Sequence, residues 1–166
     1  MQRRAFLILG SIVGVSPYLH AETATAQQKA FRQVSSLIEA VQAHMFPEGG
    51  ILPSARAMHT IRFTEETIFH PAYDRDIRAF VIEGAQELSE REKEKFLSYT
   101  PQQKEEALRR YEQTNYGSNW LSRIMTLTME ALFSDPVYGS NINASGWKAL
   151  HTKGGEPRPE TRYIQL

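Results

Sequence analysis

The sequence predicts an all-α protein, a small bundle of five or six helices followed by a long loop-rich C-terminal extension. Apolar residues recur at three- and four-residue spacing along most of the chain, and no period-two run of β-branched residues competes with them. Between the periodic stretches stand proline, glycine and helix-capping residues. A length of 166 residues, 41% hydrophobic and 23% charged, suits one core. The balance of 19 basic against 19 acidic residues leaves no electrostatic footprint for a nucleic-acid partner. Cysteine is absent from the whole sequence. That excludes disulfides, thiolate zinc sites, iron–sulfur clusters and covalent haem attachment through C-x-x-C-H.

The elements follow in order. In "QQKAFRQVSSLIEAVQAHMFP", Phe31, Val34, Leu37, Ile38, Val41 and Met45 form one stripe of an amphipathic helix, stopped by Pro47 and Gly49-Gly50. Ser54 is placed to cap a second helix, "ARAMHTIRFTEETIFH", which ends at His70-Pro71 because the residue before proline is pushed out of the α region. A third helix starts near Asp74 with Ile77, Phe80, Val81 and Leu88 inward, and Gly84 within it points to a close helix contact. Ser89 with Glu92, and Thr100-Pro101 with Gln103, mark two further starts at capping-box spacing. "SNWLSRIMTLTMEALF" then supplies Trp120, Leu121, Ile124, Leu127, Met129 and Leu132 to the most apolar helix, expected at the centre of the bundle.

The two ends differ from this body. The opening "MQRRAFLILGSIVGV" pairs Arg3 and Arg4 with an apolar run too short for the roughly twenty residues of a membrane-spanning helix. Basic residues, a short apolar run and then small residues make the three-part layout of an export signal, cut after Ala21 or Ala26. "RRAFL", with Arg3, Arg4, Phe6 and Leu7, resembles the twin-arginine signal that carries folded proteins to the periplasm. The expected organisation is therefore a leader over 1–26, a helical domain over 27–134 and an extension over 135–166. In the extension, Pro136, Tyr138, Gly139, Asn141 and Trp147 indicate that the first half is ordered.

The stretch "TMEALFSDPVYGSN" followed by "GWK" is similar to the small subunit of the gluconate 2-dehydrogenase family, in which a helix running into a Phe-Ser-Asp-Pro-x-Tyr-Gly-Gly-Asn-like turn precedes a Gly-Trp. Ser140 stands here where a second glycine is common. The resemblance implies a non-catalytic subunit without a cofactor of its own. It implies a large FAD-dependent partner of the glucose–methanol–choline type, a multihaem cytochrome c holding haem c, and location in the periplasm at the inner membrane through those partners. It implies further that the small subunit escorts the large one through the twin-arginine translocase. Under this reading Trp120, Phe133, Asp135, Pro136, Tyr138, Gly139, Asn141 and Trp147 are the candidates for partner docking, with core packing the alternative for Trp120.

Two other readings stay open on the residues alone. Trp120, Tyr138 and Trp147 could line a ligand pocket of a free-standing periplasmic binding protein. Glu66 and His70, with His59 and Glu65 nearby, could converge on a metal, although His70 beside Pro71 sits where a histidine more often meets the last carbonyls of a helix.

Overall fold

The computed structural model describes residues 16–162. Arg3, Arg4, Phe6 and Leu7 lie outside them. Six α-helices and no strand are found among the described residues: α1 Ser16–Met45, α2 Thr60–Ile68, α3 Arg75–Arg91, α4 Pro101–Glu112, α5 Asn115–Phe133 and the short α6 Ser145–Ala149. No helix among them is long and apolar enough to cross a membrane.

The stripe on α1 is buried as its spacing requires, with Phe31, Ile38 and Val41 fully enclosed. The helix also extends upstream of Gln27, so the positions after Ala21 and Ala26 both fall inside it. Alanines and Glu22 favour that continuation, and Pro17 is tolerated in a first helical turn.

The second helix corrects its sequence reading. The Ser54 hydroxyl does accept from the Ala57 amide at 3.2 Å, but it caps only a turn. His59 is left-handed at φ 53, and the α-helix begins at Thr60. Its inward face is Thr60, Thr64 and Ile68, which explains why no strong apolar stripe shows in the sequence. The threonines match a buried amide on α1: Gln42 donates to the Thr64 hydroxyl at 2.9 Å and accepts from the Thr60 hydroxyl at 3.0 Å. Such a buried polar set is stabilising only when every member is paired, and this one is paired between two elements.

Asp74 caps α3 by accepting from the amides of Asp76 and Ile77. Beyond Val81 and Leu88, the buried face includes Arg78, which donates from Nε to the Ile68 carbonyl at 2.5 Å and stacks over Phe69 at 5.3 Å. A guanidinium thus stands on the carbonyl end of α2, where the helix dipole favours a cation. No helix starts at Ser89. The residue lies inside α3, which continues to Arg91 because nothing before it breaks the helix. Lys93 and Glu94 then turn the chain at positive φ, and a 3₁₀ turn at Phe96–Ser98 seats Phe96 in the core. The start at Thr100 is as expected, with the reciprocal Thr100–Gln103 capping box and Pro101 in the first turn.

α5 packs against α2, α3 and α4 and is the centre of the bundle. Its buried face contains Thr128 in place of Met129, which is 46% exposed. The Thr128 hydroxyl makes this possible by donating to the Ile124 carbonyl one turn back at 2.7 Å. Gly84 is explained by Trp120. A Cβ on Gly84 would lie 2.0 Å from Cδ1 of the indole, whose Nε1–H donates to the Val81 carbonyl at 2.9 Å. Tyr111 of α4 packs beside this ring at 5.8 Å between centroids and donates to the Gly84 carbonyl at 3.1 Å. Burial, then the nearby Glu87, push the Tyr111 hydroxyl well above the usual phenol range, so it stays a donor.

Gly84→Ala should therefore destabilise the protein by about 1–3 kcal/mol, because overpacking against Trp120 outweighs the ~1 kcal/mol that alanine gains over glycine in a helix. Gly155→Ala, at a site with nothing within 4 Å of an added Cβ, should be neutral or slightly stabilising. Urea unfolding of the two variants checks the contrast.

Candidate docking surface

The segment after α5 does two things: it closes the end of that helix, and it shapes the neighbouring surface. The last carbonyls of any helix lack intrahelical donors. Here Trp147 Nε1–H donates to the Phe133 carbonyl at 2.7 Å, and the Asn141 side-chain amide donates to the Ser134 carbonyl at 2.8 Å. The Asn141 side-chain oxygen accepts from the Gly146 amide at 2.8 Å. Gly146 must be glycine, since a Cβ there would lie 2.0 Å from the Leu132 carbonyl oxygen. Gly139 adopts φ 81, and Asn141 is left-handed at φ 47, a conformation asparagine tolerates better than most residues. Ser140 is fully buried and its hydroxyl donates to the Met58 carbonyl at 2.6 Å, tying the turn to the segment before α2.

These contacts redistribute the residues expected to dock a partner. Trp120 is fully buried in the core, so its indole offers no surface to another chain. Asn141 is fully buried as the connector just described, and Trp147 is 8% exposed. Residues 135–162 are not continuous loop: two 3₁₀ turns, Pro136–Tyr138 and Ile142–Ala144, lead into α6, which presents Gly146-Trp147 to α5. The remaining chain returns as a strap. Arg158 pairs with both carboxylate oxygens of Asp135, at 2.7 and 2.9 Å, and its guanidinium lies 4.9 Å above the Trp147 ring. Arg162 pairs with Glu66 and donates to the Tyr138 carbonyl at 3.1 Å. The Arg158 guanidinium, then the Val137 amide, hold the Asp135 carboxyl below the usual range.

Phe133, Pro136, Tyr138 and Asp135 remain partly accessible, and Gly139 is exposed. Phe133 and Tyr138 form a ridge between two hollows. One, about 480 Å³, is bounded by Asp135, Trp147, Leu150 and Pro159. The other, about 580 Å³ and mainly apolar, lies between α2 and the end of α5 and is lined by Phe63, Thr67, His70, Tyr73, Glu130 and the ridge. Phe63, Tyr73 and Glu130 escaped the sequence reading because only the packing of α2 against α5 brings them beside Phe133. Glu130 is exposed as a residue, yet its carboxyl group is partly buried. That burial raises its pKa, with Arg123 pulling the other way, and no hydrogen bond contributes.

Tyr138 and Trp147 share a hollow, but Trp120 lies in the core, so the three aromatics do not line one pocket. Among the described residues no group of three histidine, aspartate or glutamate side chains is placed to hold a metal. Glu66 is bound instead by Arg62 and Arg162, and His70 Nδ1 accepts from the Ala72 amide.

Asn141→Ala should cost about 3 kcal/mol, through two lost hydrogen bonds at roughly 1 kcal/mol each and an unfavourable left-handed alanine, measured by chemical denaturation. The strap should open in acid. A depressed folded pKa at Asp135 means that its pairing stabilises above the ordinary aspartate value and is lost as pH falls through the lowered one. Tryptophan emission should accordingly change below pH ~4 and stay flat from 5 to 8, and Arg158→Ala should remove the transition.

The motif from Leu132 to Lys148 thus has a structural reason at each of its distinctive positions: the left-handed Gly139, the connecting Asn141, the close-packed Gly146 and the hydrogen-bonded Trp147. The family model for gluconate 2-dehydrogenase subunit 3 matches residues 32–155, a span that holds the latter part of α1, all of α2 to α6 and the whole of this motif. No curated protein and no solved structure gives a significant match. With three quarters of its length covered and the motif accounted for, the chain belongs to the gluconate 2-dehydrogenase subunit 3 family.

Proposed function

We propose that the chain is the non-catalytic small subunit of a periplasmic, membrane-associated dehydrogenase acting on a sugar, sugar acid or polyol. Its work is binding: it stabilises a large FAD-dependent subunit of the glucose–methanol–choline type and escorts it through the twin-arginine translocase. Family membership over residues 32–155 is the observation that carries this reading. Flavin and haem c belong to the partners, the second being a multihaem cytochrome c that takes the electrons and holds the complex at the inner membrane.

Two further features support the reading. "RRAFL" supplies a twin-arginine signal on this chain, and a flavoprotein that binds its cofactor in the cytoplasm must cross the membrane folded. The folded body presents an aromatic ridge and an adjoining apolar groove, the kind of surface that anchors protein interfaces. An obligate contact of this type should bury more than about 2,000 Å².

Replacing Arg3 and Arg4 by lysine should leave both this chain and its flavoprotein partner in the cytoplasm, as followed by fractionation and immunoblotting. A partner that still reaches the periplasm would show that escorted export is wrong.

A further inference from the structure

The surface repeats one pattern, a carboxylate set beside an aromatic side chain. At Asp135 the pattern is complete within the chain: Arg158 pairs with the carboxylate at 2.7 Å and covers the Trp147 ring at 4.9 Å. At the rim of the larger groove Arg162 serves Glu66 and the backbone of Tyr138. Inside that groove Glu130 stands with Tyr73, Phe133 and Tyr138, and among the described residues no hydrogen bond or ion pair engages its carboxylate. Arg123 acts on it only through longer-range attraction.

A mainly apolar groove of about 580 Å³ with aromatic residues and one carboxylate in its lining fits a long aliphatic stem with a cationic head. The guanidinium of arginine suits it best, since it stacks on aromatic faces and bonds a carboxylate through two parallel N–H groups. A metal ion would find one carboxylate and the His70 ring, whose Nδ1 already accepts from the Ala72 amide, a poor ligand set. We infer that the groove between α2 and α5 receives an arginine-bearing segment of the large dehydrogenase subunit, its stem against Tyr73 and Phe133 and its guanidinium on Glu130. This rests on the subunit reading above and adds to it the place and chemistry of one contact.

The test uses the full chain and the co-expressed large subunit, with affinity measured by titration calorimetry at two salt concentrations. Glu130→Arg should weaken binding about tenfold or more, Glu130→Gln should weaken it less and flatten the salt dependence, and Thr67→Trp, which fills the groove, should also weaken it. All three should keep the wild-type unfolding midpoint, and any variant that does not is set aside in favour of the other two. Wild-type affinity in Glu130→Arg and Thr67→Trp would overturn the groove contact while leaving the subunit reading intact. Failure of the wild-type chain to bind the large subunit would overturn both.

Discussion

The indole of Trp120 lies on the backbone of α3 where Gly84 leaves room for it, and the arrangement of the bundle depends on that approach. Without a side chain at residue 84, α5 sinks close enough for the indole N–H to reach a main-chain carbonyl of α3. Tyr111 then closes over the same place and ties α4 to it. Three helices meet through one glycine, two aromatic rings and two hydrogen bonds to backbone carbonyls. Those carbonyls already accept within α3, so each uses its second lone pair, and the indole N–H and the phenol O–H are both matched. α1 joins the assembly differently, with an apolar stripe for α3 and the buried Gln42 amide for the threonines of α2.

Once α5 is fixed, its C-terminal end shapes the neighbouring surface. The carbonyls of Phe133 and Ser134 recruit Trp147 and Asn141, so two residues that look available for a partner are used inside the chain. Their neighbours Phe133 and Tyr138 are left at the surface as a ridge with a hollow on either side. Internal closure falls to Asn141, Gly146 and Trp147 in the second half of the motif, while Phe133 and Tyr138 in the first half stay partly accessible.

Elements whose signal is local were legible in the sequence. The α1 stripe, the Thr100–Gln103 capping box, the Asp74 start and the close contact at Gly84 each follow from spacing or from one residue's stereochemistry. The start of α2 was not legible, because Ser54 carries a valid capping side chain for a turn that is not continued, and because its inward face is polar and is matched only by Gln42. Met129 and Thr128 exchange expected places for a similar reason: a threonine can satisfy its hydroxyl within its own helix and so be buried. The candidate site was half legible. Phe133, Asp135 and Tyr138 are partly accessible, whereas Phe63, Tyr73 and Glu130 come from three separate segments that only the tertiary fold unites.

The proposed role as a binding subunit is tested by what the chain does for another protein. The most direct measurement compares the large flavoprotein isolated alone with the same subunit bound to this chain, scoring flavin content, thermal stability and dye-linked oxidation of sugar acids. As a non-catalytic subunit the chain should be inactive and flavin-free by itself and should raise the stability and activity of its partner in a stoichiometric complex. Turnover by the isolated chain, or a large subunit equally stable and active without it, would contradict that role.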